Sequence, residues 1–196
     1  MHTSIKILFL TISLGLIVSS CKKDPEIDEI IQGCTDPLAD NFNNKAEKDN
    51  GSCTYQKRFI SKYDINVLCG QASAIFQDAS LEISENPKKN RVNLTISSLA
   101  GNIIFDGIIT KNEIVIDTII KGLTVNAKAI LPILDNVDVK ANVTLKSKLT
   151  LSSDALKLTG DMDVNIANAE DLLYNGVTVP AGTSLPDKCA FTGTKK

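Results

Sequence analysis

The cysteines are the residues of this chain whose possible chemistry depends most on their spacing. The sequence contains five of them: Cys21, Cys34, Cys53, Cys69 and Cys189. No two are separated by only two residues, and the one histidine is His2, so they do not form the Cys-x-x-Cys or Cys/His sets that bind zinc. An odd number of cysteines in an exported protein leaves one without a disulfide partner, and that cysteine needs a separate explanation.

The amino terminus supplies that explanation. Residues 7–18 read ILFLTISLGLIV, an apolar run that suits a signal peptide and is shorter than the about 20 residues of a membrane-spanning helix. The sequence VSSC at 18–21 resembles the lipobox of bacterial lipoproteins. By this resemblance, residues 1–20 are a lipoprotein signal peptide that is removed. Cys21 then carries a thioether-linked diacylglyceryl group, and its amine carries a fatty acid such as palmitate. Two or more acyl chains give stable membrane anchoring.

Residues 21–32 are expected to form a charged tether between the lipid and the folded part of the chain. Lys22, followed by acidic residues such as Asp24 and Glu26, resembles the surface-export signal of Bacteroidota lipoproteins. Lysine rather than aspartate beside the acylated cysteine also fits sorting to the outer membrane. The sequence therefore predicts a lipid-anchored outer-membrane protein, with export to the cell surface as the further implication of the resemblance. The other interpretation is that the charged residues only keep the tether in water and carry no export signal.

Lipidation of Cys21 leaves an even number of cysteines in an oxidising compartment, where disulfides are expected. Four cysteines allow three pairings. Cys34 and Cys53 are close in sequence, whereas Cys69 and Cys189 flank the main β region. We therefore favour the disulfides Cys34–Cys53 and Cys69–Cys189. The two other pairings, which would tie the first segment to the second, stay open.

The segment around the first two of these cysteines, residues 33–56, is expected to be a small disulfide-stapled module. It begins GCTDPLADNFNNKAEKDNGSCTY, which resembles a short segment that recurs in surface proteins of the same bacteria. Asp36, Asp40 and Asp49 stand there among other oxygen-bearing side chains, the kind of ligand that Ca²⁺ takes. The ligand spacing of an EF-hand is absent. Two interpretations stay open: a calcium site, or a stapled turn in which these side chains bond to backbone groups.

The composition argues against most catalytic and nucleic-acid-binding functions. Because His2 lies in the predicted signal peptide, the mature chain has no histidine, which excludes Ser-His-Asp and Cys-His nucleophile pairs. Asp161 and Asp163 would share one face of a strand, and paired carboxylates hydrolyse glycosides in some enzymes, but we expect them to be solvated. The chain has 21 Lys and Arg against 23 Asp and Glu, a net charge of −2, whereas a nucleic-acid-binding protein should show a basic excess.

From residue 58 onward the hydrophobic pattern has a period of two, which is typical of antiparallel strands with one buried face. In the clearest stretch, 137–151, apolar residues alternate with polar ones except at Ser147. We predict strands at about 59–68, 79–84, 91–97, 102–109, 113–120, 123–130, 137–151 and 156–166. One helix is expected, from Asn168 to Tyr174. Residues 58–196 are therefore predicted to be all-β, as an antiparallel β-sandwich or an up-and-down, lipocalin-like barrel.

The order of these features resembles a family of small Bacteroidota lipoproteins of largely unassigned function. The matching residues at the start of the β region are Phe59, Tyr63, Ile65 and Cys69, and the strands after them end near a second cysteine. The resemblance implies a lipocalin-like barrel or a β-sandwich, and it implies no catalytic residues.

Together these observations predict a non-enzymatic, lipid-anchored binding or display module. Its partners would be the membrane, through the lipid, and a ligand or surface protein of unknown identity; calcium is the one cofactor left open. The alternative is a lipocalin-like carrier of a small apolar ligand. A void between the apolar faces of residues 79–166 would favour the carrier, and a filled interior would favour the binding module.

We predict that Cys21 is acylated. The variant Cys21→Ser lacks the thiol to which the lipid would be attached, so a full-length precursor that keeps its signal segment should accumulate. Metabolic labelling with a tagged fatty acid should mark the wild-type chain and not the variant. A variant that is still cleaved after Ser20 and floats with membranes would contradict the lipoprotein prediction.

Overall fold

The computed structural model describes residues 29–70, 72–98, 101–127 and 137–196. The predicted signal peptide, Cys21 and most of the tether lie outside the described residues, as does the end of the strand predicted at 123–130. In the described ranges, no helix is both long enough and apolar enough to cross a membrane.

The described elements are strands, apart from one short 3-10 helix, Ala72–Phe76. The strands are β1 (Gln32–Gly33), β2 (Lys48–Asp49), β3 (Ser61–Leu68), β4 (Ser80–Glu85), β5 (Arg91–Ser98), β6 (Gly101–Thr110), β7 (Glu113–Asn126), β8 (Asp138–Leu151), β9 (Lys157–Asn168), β10 (Leu172–Tyr174), β11 (Val177–Val179) and β12 (Ser184–Lys195). The all-β prediction is confirmed.

Eight of these strands form a closed barrel in the order β12-β3-β4-β5-β6-β7-β8-β9. Neighbouring strands are antiparallel, and β12 closes the sheet by pairing with β9 on one side and with β3 on the other. The barrel is therefore of the up-and-down type, one of the two architectures that the alternating pattern predicted. Closure removes the free strand edges that an open sheet would expose.

The period of two places the apolar side chains inside the barrel. In β8, the inward-facing Ala141, Val143 and Leu145 are at most 1% exposed. Ser147 interrupts the inward apolar row, and its hydroxyl donates a hydrogen bond to the carbonyl of Asp161 at 2.8 Å. A buried hydroxyl that finds an acceptor avoids most of the free-energy cost of leaving water.

The interior of the barrel is filled by one continuous cluster of apolar side chains. Phe59 and Tyr63 belong to it, each 0% exposed, and the Tyr63 hydroxyl donates to the Phe59 carbonyl at 2.8 Å. Burial raises the pKa of Tyr63 to about 12, so the phenol stays protonated and keeps this bond at neutral pH. In this chain, the phenylalanine and tyrosine of the lipoprotein resemblance therefore make a structural contact.

β7 is one strand of 14 residues, and the prediction of two strands at 113–120 and 123–130 is wrong. Its register with β8 shifts between Ile120 and Leu123. Gly122, inside this bulge, has a φ of 66°, a conformation that glycine adopts without steric cost. The bulge absorbs the break in the alternating pattern and lets the strand continue.

The helix expected over 168–174 is also wrong. Asn168 is the last residue of β9, and Leu172–Tyr174 pairs with Val177–Val179 as a small hairpin. The turn between them is Asn175-Gly176, whose φ values are 49° and 78°. Two residues with positive φ are what a two-residue Asn-Gly hairpin turn requires, and this turn signal outweighs the capping pattern at Asn168.

Both favoured disulfides are present, Cys34–Cys53 and Cys69–Cys189. The second joins the end of β3 to β12, and so it lies at the strand pair that closes the barrel. Its cysteines are 120 residues apart. In the entropic account, a cross-link over about 100 residues stabilises the fold by about 4.7 kcal/mol, because it restricts the unfolded chain.

Gly160 lets β9 approach β8 closely, and we predict that this position does not tolerate a side chain. A Cβ atom there would overlap the Lys148 carbonyl oxygen and lie 3.2 Å from Leu149 Cα, both backbone atoms of β8. Gly160→Ala should therefore lower the free energy of unfolding by about 1–3 kcal/mol, the usual range for overpacking, in a denaturant titration. Gly193→Ala is the matched control, since its Cβ would meet side-chain atoms at 3.4–3.5 Å. Equal effects of the two substitutions would contradict this explanation.

Candidate functional site

The module stapled by Cys34–Cys53 is held together by side-chain oxygens that accept hydrogen bonds within it. Asp36 Oδ1 accepts from the Leu38 amide at 2.9 Å, and Oδ2 accepts from the Tyr55 hydroxyl at 2.8 Å. These bonds, the amide first and the hydroxyl second, lower the pKa of Asp36 below its usual value. Burial, followed by the bond to Asp36, raises the pKa of Tyr55 to about 12, so its hydroxyl remains a donor at neutral pH.

The two other candidate calcium ligands have partners of the same kind. Asp40 Oδ2 accepts from the Lys57 amide at 3.0 Å, and Asp49 Oδ1 accepts from the Gly51 amide at 2.9 Å. A calcium ion needs six to eight oxygens directed at one point, whereas these oxygens face separate amide hydrogens. The geometry favours the stapled-turn interpretation of this segment.

The three aspartates do not converge on one another. In the described part of the chain, the group of three potential metal ligands within 4.8 Å of one another consists of Cys69, Asp187 and Cys189. Its two sulfurs are bonded to each other. Asp187 accepts from the amides of Gly70 and Ala72 at 3.3 and 2.8 Å. This cluster therefore fastens the 3-10 helix to β12 and presents no set of free ligands.

The module is attached to the barrel through Gln56. Its Nε2 donates to three carbonyls at the β4–β5 turn, those of Asn86, Lys88 and Arg91, at 2.8, 2.9 and 2.7 Å. Residues 31–196 form one compact unit. The stapled module and the β region, which are distinct in sequence, therefore pack together as one body.

The carboxylate pair on β9 lies on the outer face of the barrel. Asp161 and Asp163 are both exposed, and Asp163 pairs with Lys188 of β12 at 2.7 Å, a contact that raises the pKa of Lys188 above its usual value. Lys146 of β8 is the register partner of Asp163, and it pairs with Asp117 of β7 at 3.5 Å. The residues at 117, 146, 163 and 188 thus alternate in sign across four neighbouring strands, and we call them the ion-pair ladder. Exposed pairs of this kind add little to stability.

An open depression of about 650 Å³ lies on the same outer face of β8, β9 and β12. Besides three residues of the ion-pair ladder, its lining includes Thr144, Asn165 and Pro186. Asn165 Oδ1 is buried and has no hydrogen-bond donor. Buried acceptors without a donor are rare in folded proteins, and this one belongs to a residue that lines the depression. We call this region the outer-face depression, and it is the best candidate binding site of the described surface.

Among the residues that the structure describes, the barrel interior has no comparable set of polar groups. Among the described residues, the buried polar side chains other than tyrosine are Ser147 and Asn168, and neither is ionisable. Asn168 Nδ2 donates to the carbonyls of Glu170 and Pro180 at 2.8 and 2.9 Å, and so it supports the connection that follows β9. General acid–base catalysis needs titratable groups in reach of a bound substrate, and the described titratable groups that are charged at neutral pH lie outside this core.

Comparisons with family models, with curated proteins and with solved structures find no match for this chain. Its function is therefore inferred from the chemistry and geometry of its own residues.

The sequence alone did not identify the outer-face depression, although it contains part of the signal. Lys146 and Lys148 are two residues apart on one strand, and Asp161 and Asp163 are two residues apart on the next. Opposite charges at matching intervals on adjacent antiparallel strands indicate cross-strand pairing. The contribution of Lys188 depends on the register of β12, which no local pattern reveals.

We predict that Tyr55→Phe raises the pKa of Asp36 toward its ordinary value, because the variant loses the hydroxyl donor and keeps the Leu38 amide. A carboxyl whose pKa is lowered by folding stabilises the fold above its unfolded pKa, and this contribution is lost as the pH falls through the folded value. The stability difference between wild type and variant should therefore narrow as the pH falls below 3.8, the unperturbed value.

An NMR titration of the Asp36 carboxyl measures this shift directly, and denaturation at several pH values measures its effect on stability. Tyr174→Phe, in the β10–β11 hairpin, is the control and should leave the Asp36 titration unchanged. If both substitutions gave the wild-type titration, the Tyr55 hydroxyl would have no influence on this carboxyl.

Proposed function

We propose that this chain is a lipid-anchored outer-membrane lipoprotein that acts as a non-enzymatic binding module. The lipobox at 18–21 supports the anchor. The disulfides Cys34–Cys53 and Cys69–Cys189 support export, because such bonds persist in oxidising compartments. The anchor itself lies outside the described residues.

The observation that carries the binding function is the separation of apolar and polar groups between the two sides of the barrel wall. One apolar cluster fills the interior, while the ion-pair ladder and the outer-face depression lie outside. An eight-stranded barrel has an interior just wide enough to be filled by side chains or to hold one small ligand. With side chains in that space, the outer surface is what remains for contact with a partner.

The outer-face depression suits a protein or peptide segment of mixed chemistry. After a rotation of its side chain, Asn165 Oδ1, which is buried in this structure, could accept from a backbone amide or a hydroxyl of such a segment. Pro186 and the aliphatic stems of Lys146 and Lys188 supply apolar contact, while the charged ends of the lysines stay in water. Charges of both signs at the edge favour a partner with complementary charges.

A lipocalin-like carrier of a small apolar ligand is the second candidate, and one observation favours it. β6 and β7 are joined by three register pairs next to their turn, compared with the eight pairs between β5 and β6. Farther from the turn, the inward-facing Thr118 and Ile120 of β7 are partly exposed. This part of the wall is the place where an apolar ligand would enter if the interior could hold one.

A larger side chain inside the barrel distinguishes the two candidates. Ala141 is 0% exposed on the inner face of β8, so Ala141→Leu should lower the free energy of unfolding by about 1–3 kcal/mol if the interior is filled. Denaturant titration of the mature lipoprotein in detergent measures this. Ala190→Leu, at an exposed position of β12, is the matched control and should change little. An Ala141→Leu protein as stable as wild type would indicate a void and would favour the carrier.

A further inference from the structure

Exposed lysines are concentrated at one end of the barrel. Because the strands run alternately up and down, the β4–β5, β6–β7 and β8–β9 turns and the segment before β3 all lie at this end. The exposed lysines at these places, which we call the lysine rim, are Lys57, Lys88, Lys89, Lys111 and Lys157. In the described part of the chain, the ion pairs within 4.0 Å involve other cations.

Several carboxylates at this end have partners within the fold, and those bonded to amides or hydroxyls keep their negative charge. Glu113 pairs with Lys148 at 2.8 Å. The carboxylates that accept hydrogen bonds from amides or hydroxyls are Asp36, Asp40, Asp49 and Asp154. Glu47 and Glu85 are exposed acidic residues at this end. With Asp49 and Asp154 they make four exposed carboxylates, against the five lysines of the rim and the exposed Lys45 and Lys48 of the module, so this end keeps a positive excess among its exposed charges.

Two lysines of the rim line one depression of about 320 Å³ between the module and the neighbouring turns. Asn90 lines the same depression as Lys89 and Lys111, so two ammonium groups and a side-chain amide are available there as hydrogen-bond donors. Such donors suit the oxygens of a phosphate group. Asp49 also lines the depression, and one of its oxygens is bonded to the Gly51 amide.

The opposite end of the barrel has the opposite charge. Among the described residues there, the exposed acidic ones are Asp78, Asp138, Glu170 and Asp171, and the exposed basic ones are Lys121 and Lys140. A molecule with one basic and one acidic end is oriented by a negatively charged surface, with its basic end toward that surface.

The chain enters the folded unit at the basic end. The Ile31 carbonyl accepts from the amides of Glu47 and Lys48 at 2.8 and 3.3 Å, which fixes the entry point within the module. Gln56 in turn fixes the module to the β4–β5 turn. Residues 22–30 separate Cys21 from this point, a span of roughly 30 Å when extended.

We propose that the lysine rim binds anionic lipid headgroups of the membrane that holds the anchor. This proposal rests on the proposed lipid anchor at Cys21. The barrel would then lie with its basic end on the headgroups, its acidic end away from them, and the outer-face depression on its side. Each basic residue close to an anionic surface strengthens binding on the order of fivefold, and salt screens the effect.

The test uses the mature lipoprotein on the outer leaflet of two kinds of vesicle: phosphatidylcholine alone, and phosphatidylcholine mixed with phosphatidylglycerol. An impermeant amine reagent and mass spectrometry give the modification rate of each lysine. We expect Lys89 and Lys111 to react roughly fivefold or more slowly on the anionic vesicles, with high salt removing the difference. Lys121 and Lys140 are internal controls and should react equally on both.

A paired substitution sharpens the test. Lys89→Glu with Lys111→Glu should abolish the protection of Lys57 on anionic vesicles, whereas Lys121→Glu with Lys140→Glu should preserve it. Equal modification rates for the rim on both vesicles would overturn the proposal. So would protection of the rim by inorganic phosphate without vesicles, since the ligand would then be a free anion.

Flotation of the chain with the vesicles reports on the anchor separately. A chain that does not float contradicts the proposed function, and the headgroup proposal with it. A chain that floats without protection of its lysines contradicts the headgroup proposal alone.

Discussion

The last barrel strand, β12, pairs with two partners at once, and this pairing closes the sheet. Residues Ser184–Thr194 of β12 pair with β9, and Ala190–Lys195 pair with β3. Without β12, both neighbours would have a free edge, and unpaired edge strands attract other chains. The Cys69–Cys189 disulfide lies at this closure. Asp187 reinforces it by accepting amide hydrogen bonds from the segment that follows β3.

Closure also decides which side of each strand meets water. In β9, Met162 and Val164 face the apolar cluster, while Asp161 and Asp163, which alternate with them, face out. Because the interior is apolar, the charged side chains of these strands face the solvent. The registers of β7, β8, β9 and β12 then place them side by side as the ion-pair ladder. The binding surface that we propose is therefore a consequence of barrel geometry more than of any reactive side chain.

Alternating hydrophobicity was sufficient to predict the fold class and most strands, because one face of each strand is buried. β12 had no predicted counterpart, since Pro186, Asp187 and Lys188 interrupt its pattern. Proline is tolerated where a strand has a neighbour on one side only, and β3 pairs with β12 only from Ala190 onward. The error at 168–174 has a different cause: a capping residue followed by acidic residues resembles a helix start, but the Asn-Gly turn after it closes a hairpin.

The candidate site was less predictable than the fold because its residues are distant in the chain. Asn165 and Pro186 are register partners on β9 and β12, and a pattern with a period of two does not say which strands are neighbours. The disulfide pairing could be predicted from the sequence, because Cys34 and Cys53 are close in the chain and the remaining two cysteines flank the β region. Whether the three aspartates of the module bind calcium depends on where their side-chain oxygens point, and composition does not show this.

The stapled module, although small, is fixed to one end of the barrel. A segment this short has no core of its own and needs a staple, and here the Cys34–Cys53 disulfide and the Asp36–Tyr55 bond supply it. A spacer that only separated the barrel from a lipid would need no fixed contact with the barrel. Gln56 nevertheless makes three bonds to the β4–β5 turn. With the module fixed in this way, the described chain begins at the end of the barrel that has the lysine rim, and the proposed anchor would be joined to the barrel at that end.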